Sequence, residues 1–395
     1  MSQLVSSFDA FKEYGPGSAS IGPLTVDVQS DLELNPQDDA ALASLVSQRP
    51  EVGVFVSKPW LSGFFLQPPP ATEPALVLLR EGRTLRAIAP IAIRPTRSHV
   101  RVALLGGGMG SDRVDLLAAR GFEATAADTF LLWLAETFGP RRFLLELRDV
   151  PASSPLWGAI HRAAAERTLR LVLQPREVYT HPYLPLGSSE PADLDEAPST
   201  ARLRSVDKHR RRLERRCRLR IEVLDDLDGI SEAFATLARL LHARRTSRGE
   251  TSVLDEPRMV RHHQHILPLL LHRGHLRMIQ LTADDRIIAV FYGVTCGKWW
   301  GYYLAGYDAE WAGRIHLGQI TLAAAIEQAT LEGATEFDFL KGAERVKYNW
   351  PVSERASLDA DVFSDGTAVQ FARARRASRD AAVALTKSAR DLFCA

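Results

Sequence analysis

Residues 275–350 decide the fold: HLRMIQL, a turn at Ala283-Asp284-Asp285, RIIAVFYGVT, then KWWGYYLAGYD, a polar connection AEWAGRIHLG, QITLAAAIEQATLEG, and finally ATEFDFLKGAERVKYNW. Ile287, Ile288, Val290, Phe291 and Val294 form one β-branched or aromatic run, and Trp299, Trp300, Tyr302 and Tyr303 the next; both are too short for helices. Ile320, Leu322, Ala323, Ile326 and Ala329 recur at helical spacing and stop at Gly333. Residues 335–340 then read as a short strand. A helix between two strands predicts a right-handed parallel crossover, so the sheet opens toward a helix N-terminus where a ligand can sit.

This stretch resembles the bacterial CelD/BcsL-type family of acetyltransferases, a branch of the GNAT superfamily. The matching residues are Gly274 to Leu281, Ile288-Ala289, Tyr303 to Asp308, Leu317-Gly318, Glu332-Gly333, Phe337 to Leu340 with Gly342, and Lys347 with Trp350. Upstream, His242, Arg245, Arg248 and Gly249 resemble the family's His-x-x-Arg element. The resemblance covers most of the chain and is strongest over residues 200–360.

The 395 residues have an ordinary globular composition, 46% hydrophobic and 25% charged, with net charge +1. No global electrostatic argument for nucleic acid or membrane follows, so any such argument is local. Cys217, Cys296 and Cys394 lack C-x-x-C spacing, which argues against a disulfide framework or zinc site and fits a reducing cytosol. The start carries Asp9, Lys12 and Glu13 where a signal peptide needs an apolar run, and no stretch has the length of a membrane span. A cytoplasmic protein is expected.

In chain order, residues 1–20 read as a flexible start, followed by a strand at Leu24–Val28 and a helix holding Leu42, Leu45 and Val46. Val54 to Leu61 resembles the family's N-terminal signature, an apolar strand running into a Trp-bearing turn. Trp60 is then a substrate-side residue or a core anchor. A hairpin spans 75–93, and a strand at 100–105 enters Gly106-Gly107-Gly108-Met109-Gly110. No Gly-Lys-Ser/Thr follows and dinucleotide spacing is absent, so this loop reads as a turn or a substrate wall. A helix over 122–138 and a strand at 143–147 repeat the order of the later half.

The sequence therefore predicts an α/β (α+β) fold of tandem GNAT-like domains, each a mixed twisted sheet flanked by helices, with the N-terminal half degenerate. The expected divisions are 21–180, a Pro-rich boundary with a basic helix at 181–219, an acyltransferase domain at 220–365, and a helical tail at 366–395. In the basic run, Arg202 to Arg220, Leu203, Val206, Leu213 and Cys217 mark one apolar face. It reads as a solvated helix, a polyanion site, or help for a phosphate-bearing donor. On the helix 257–272, His262 and His265 share a face, but no further ligand is placed for a metal, and both read as surface residues.

By resemblance, an acyl-CoA binds between two splayed strands with its pyrophosphate at the following helix start, where free N–H groups and the helix dipole favour an anion. Here that position is Arg314 to Gln319; the usual Q/R-x-x-G-x-G/A loop is absent, and one glycine remains. The implied donor residues are Leu304, Gly306, Arg314, His316, Gly318 and Gln319, the cosubstrate is acetyl-CoA or another acyl-CoA, and no metal is implied. Attack on a thioester needs a base, an oxyanion donor and an acid. The candidates are Asp338 and His242 as base, Tyr348 or Tyr303 as acid, and N–H groups near Leu304 to Gly306 for the oxyanion. Arg245, Lys341, Gly342, Lys347 and Trp60 are candidates for holding a small-molecule or glycan acceptor in exopolysaccharide or cell-envelope synthesis. A Fem-like aminoacyl-tRNA-dependent transferase and a non-catalytic accessory protein are the alternatives.

Overall fold

The computed structural model describes residues 20–21, 23–139, 142–166, 169–187, 198–246, 249, 251–312 and 316–364. Strands β1 (Ser20–Ile21) and β2 (Leu24–Gln29) precede helices α1 (Pro36–Gln48), α2 (Pro50–Val56) and α3 (Lys58–Leu66). Next come β3 (Glu73–Glu81), β4 (Thr84–Pro95), β5 (Val100–Leu104), β6 (Leu117–Ala118), α4 (Glu123–Phe138), β7 (Phe143–Pro151), α5 (Pro155–Ala165) and β8 (Val172–Pro185). The later half holds α6 (Pro198–Glu214), β9 (Leu219–Leu224), α7 (Leu227–Thr246), a 3-10 turn at Val253–Asp255, α8 (Pro257–His272), β10 (Leu276–Ala283), β11 (Arg286–Cys296) and β12 (Trp299–Tyr307). It continues with α9 (Ala309–Ala312), α10 (Leu317–Leu331), β13 (Glu336–Asp338) and β14 (Ser353–Phe363).

All strands join one sheet in the order β1-β2-β3-β4-β5-β7-β14-β8-β13-β12-β11-β10-β9, with β6 added to β4. The two halves repeat one plan. Strands β2 to β5 form an antiparallel meander, α4 crosses over, and β7 pairs parallel to β5; β9 to β12, α10 and β13 do the same. Strands β8 and β14 seal the halves together, because β14 pairs with β7 and β8, and β8 pairs with β13.

One face of the sheet carries a core shared by both halves, in which Val54, Phe55, Trp60 and Ile88 meet Leu237, Ile266, Val290 and Tyr292. The other face is divided: α4 and α5 cover the first half, and α10 with α6 the second. Val206 and Leu213 of the basic helix are buried there, and Leu203 and Cys217 pack beside them, so its apolar face is the one the sequence marks.

Two segments differ from expectation. Residues 54–61 are helical: Pro50 and Pro59 occupy first-turn positions, where a missing N–H costs nothing, and extended Ser57 separates the two helices. An apolar run this short carries no period to distinguish strand from helix. His181 to Pro185, expected as boundary, finish β8, with Tyr183, Leu184 and Pro185 registered against β13. Residues 188–197, the expected flexible start 1–19 and the expected tail 366–395 lie outside the described residues.

Candidate functional site

Strands β12 and β13 pair only at Trp299/Glu336, Trp300/Phe337 and Gly301/Asp338. Beyond Gly301, β12 runs on to Tyr307 with β11 alone beside it, so the two parallel strands part. A β-bulge sits at the parting: Tyr292 faces Leu304 and Gly293 faces Tyr302, leaving Tyr303 as the extra residue. The opening leads to the start of α10, which has His316 at its N-cap and no acid in its first turn. Gly318 lies against the Tyr307 ring, 3.0 Å from where a Cβ would stand. The equivalent helix of the first half, α4, differs, because the Glu123 carboxylate accepts from Gly121 N at 2.7 Å and occupies its start. Free N–H groups at the α10 start suit an anion, worth about 0.3–1 kcal/mol. Arg314 lies outside the described residues.

A buried charged cluster lies where the halves meet. The glycine-containing loop after β5 reaches across, its turns set by left-handed Gly106 and Gly110 (φ 92° and 112°). Every residue from 110 to 113 is anchored except Asp112. Gly110 O accepts from Tyr303 OH at 2.6 Å, and Ser111 Oγ accepts from Trp60 Nε1 at 2.8 Å. Arg113 N donates to Asp149 Oδ2 at 3.1 Å, and its guanidinium pairs with Asp338, both side chains being fully enclosed. Asp338 also accepts from Leu340 N at 2.7 Å and lies 3.7 Å from Arg355 Nη1. Arg113, Asp149 and Leu340 all adopt left-handed φ, a strain that concentrates at functional sites.

Beside this pair, His181 Nε2 lies 3.0 Å from Asp149 Oδ1 and 2.7 Å from Ser357 Oγ, and the Ser357 hydroxyl donates to the same carboxylate. Burial raises the Asp149 pKa, but the His181 hydrogen bond and charge outweigh it and hold the carboxyl at about 2. Although aspartate, histidine and serine meet here, serine and acid share one ring nitrogen and all three are enclosed. A hydrolytic triad needs opposite nitrogens and an open serine.

Half-buried Asp112 faces this assembly, and no hydrogen bond or ion pair to its carboxylate is found among the described residues. Burial, then the charge of Asp149, pushes its pKa up to about 6 against the pull of His181, Arg113 and Lys341.

On the far side of Gly110, an aromatic and histidine network fixes Tyr303. Its single proton goes to Gly110 O, so its oxygen accepts from His263 Nε2–H at 3.2 Å, and His263 Nδ1 accepts from Tyr292 OH at 3.3 Å. Burial, then the Tyr292 and Asp112 charges, holds Tyr303 well above the usual phenol range.

The other predicted residues are dispersed. His242 is exposed on α7, 2.8 Å from Asp255 Oδ1, and Arg245 beside it donates to Thr251 O at 3.3 Å. Tyr348 is exposed and donates to Glu354 at 2.6 Å, which raises its pKa. Lys347 is 4% exposed and its ammonium donates to Lys341 O (2.8 Å) and Gly342 O (3.1 Å), so it shapes the turn after β13. Lys341 reaches back over the Tyr179 ring, 3.2 Å from its centroid. Gly306 lies against Leu237 and Leu240, and Trp60 is fully buried beside Tyr303. His262, expected at the surface, is fully buried against Phe64 and Trp60, because helix α3 of the first half covers it. The structure thus gathers Trp60, Tyr303, Asp338 and Lys341 around residues the sequence reading passed over: Asp112, Arg113, Asp149 and His181. An Asp-Arg pair directly after a glycine-rich loop is the one local signal for them.

Residues 200–348 match the acetyltransferase (GNAT) domain family. No curated protein matches the chain. Among solved structures, FemX superposes with a TM-score of 0.55 at 11% identity, over 84% of this chain and 96% of FemX. The C-terminal domain (DUF2156) of a candidate lysylphosphatidylglycerol synthetase from Agrobacterium fabrum gives 0.51 at 12% identity, over 86% and 95%. At these identities the likeness is one of fold. With its parted parallel strands and open helix start, the second half of this chain is similar over residues 200–348 to the acetyltransferase (GNAT) domain.

Proposed function

We propose that the protein transfers an acyl group, acetyl in the first instance, from acyl-CoA to an acceptor held between the halves. The observation that carries this is the parting of β12 from β13 beyond Gly301, with the bulge at Tyr303 and the α10 start at its end. The thioester lies along the free edge of β12, where backbone N–H groups near Leu304 to Gly306 bind the oxyanion, and the pyrophosphate lies at His316, Gly318 and Gln319 with Arg314. The resemblance to the CelD/BcsL-type family supports a glycan or related acceptor in cell-envelope or exopolysaccharide synthesis in the cytoplasm. No helix among the described residues is long and apolar enough to cross a membrane.

Calorimetry with acetyl-CoA tests this reading. Gly318→Val drives a branched side chain into the Tyr307 ring, and with Arg314→Ala it abolishes the heat seen with wild type. Absence of heat from wild type at millimolar acetyl-CoA removes the reading.

A Fem-like, tRNA-dependent transfer is the second reading, favoured by the exposed face of α6 and the turn after it, where Arg204, Lys208, Arg211, Arg212, Arg215 and Arg216 are exposed. Retention of tRNA that falls steeply with salt supports it, and failure to retain tRNA even at low salt removes it.

A further inference from the structure

A groove lies between the two helices of the first half. It holds about 260 Å³ and is walled by Leu131 and Leu132 of α4, Ala159 and Ala163 of α5, and Leu169 beyond α5. Arg162 crosses it to Asp128, 2.9 Å away, and Glu166 stands exposed at its rim. Five apolar side chains under one bridging ion pair suit the apolar face of a helix.

The last described residues stand beside this groove. Phe363, at the end of β14, pairs with Leu144 of β7 and Val172 of β8. Ser364 N donates to Phe143 O at 3.1 Å, and Phe143 N donates to Ser364 Oγ at 2.7 Å. Leu169 of the groove wall precedes Val172 by three residues and is therefore at most about 11 Å from it. The segment that follows Ser364 has a matching pattern. Phe371, Ala374, Ser378, Ala381, Leu385, Ser388 and Leu392 recur at alternating steps of three and four. In a helix these seven fall within an arc of about 100°, and all eight charged residues between them fall outside it. Charge matches as well. Residues 365–395 carry five arginines and one lysine against three aspartates, whereas α4, α5 and Glu166 carry four acids against Arg162.

We propose that residues 371–392 form a helix seated in the α4–α5 groove of their own chain. Residues 365–370 span up to about 20 Å and carry the chain from Ser364 to the groove. The alanines and serines of the apolar face let the helix approach α4 and α5 closely, and Phe371, Leu385 and Leu392 supply the bulk that fills the space between them. A linker this short holds the segment at an effective concentration in about the millimolar range, which favours its own groove over that of a second copy. The segment then ties β14, the strand that seals the two halves, to the helices of the first half.

The test compares wild type with Leu132→Arg on the groove and with Leu385→Gln plus Leu392→Gln on the segment. Limited trypsin cleavage after Arg376 and Lys387, followed by mass spectrometry, reads docking, because cleavage tracks the population in which the segment is released. Cleavage at both residues is expected to be at least about tenfold faster in either variant than in wild type, a factor that corresponds to about 1.4 kcal/mol. The segment variant alters no described residue, so it decides the matter whatever Leu132→Arg does to α4. Place is read with a nitroxide on Cys394 in a Cys217→Ser background, Cys296 being buried. The methyl resonances of Leu132, Ala163 and Leu169 are expected to broaden, and to recover in the segment variant. When nitroxide-bearing chains without isotope are mixed with isotope-labelled chains without nitroxide, no broadening is expected. Broadening in that mixture means that a second copy supplies the segment, and it overturns the assignment to one chain. Equal cleavage in all three proteins, or groove methyls that stay sharp, overturns the proposal outright.

Discussion

Replacing Asp338 by asparagine keeps its shape and removes one charge from a site where Arg113 is 1% and Asp338 0% exposed. The guanidinium of Arg113 is then left in the interior without its counter-ion, and Arg355, whose Nη1 lies 3.7 Å from the Asp338 carboxylate, keeps only Glu336 as its acid. Breaking one side of an enclosed ion pair costs about 3–5 kcal/mol. At an m value of about 3 kcal/mol/M, the urea midpoint falls by about 1 to 1.7 M. The double replacement Arg113→Met with Asp338→Leu removes both charges and is expected to lose far less than the sum of its single changes. Urea unfolding of wild type, Asp338→Asn, the double replacement and its two single changes, followed by tryptophan fluorescence, reads all of these values. A free catalytic base predicts the opposite pattern, wild-type stability with lost activity. Destabilisation below about 1 kcal/mol in Asp338→Asn, with additive double replacement, refutes the reasoning.

Ser111→Ala leaves the buried Trp60 N–H without its acceptor and is expected to cost about 1–3 kcal/mol, measured as a shift in urea midpoint. His262 adds an acid limb to stability. Burial lowers its pKa from 6.5 to about 4, so the unfolded chain binds the proton first. The contribution is complete above pH 6.5 and is lost as pH falls toward 4, about 3 kcal/mol in all. His262→Leu is expected to flatten the fall in midpoint between pH 7 and pH 4.5, and an unchanged slope contradicts the assignment.

The strands and helices of 275–340 were legible because their periods are unambiguous: Ile287 to Val294 is β-branched and bounded by turns, and Ile320 to Ala329 repeats at helical spacing. The doubled plan was legible for the same reason. Residues 54–61 were not, since helix and strand both fit a short apolar run and Pro59 favours the first turn of a helix. Strand β14 went unread because SERASLDADVF alternates weakly and acquires its strand form from neighbours on both sides. The site was the least legible part. Arg113 and Asp338 are 225 positions apart in the chain, and His262 is covered by a helix nearly 200 residues before it. Local pattern carries no information on such pairings, whereas the glycine loop could be seen but not what it presents.

The place of β14 also sets a clock on synthesis. Strands β7 and β8 belong to the first half, yet the strand that lies between them is the last one described, Ser353–Phe363. A ribosome adding about 5–20 residues per second leaves the edges of β7 and β8 open for roughly 10 to 35 s after Pro185 is made. Open edges invite pairing with other chains. Arg176, and Arg148 with Glu146 of its own strand 3.1 Å away, both of which finally close on Asp361, stand on those edges during the wait as like charges. The ion pairs that lock the finished sheet thus begin as guards on a nascent chain.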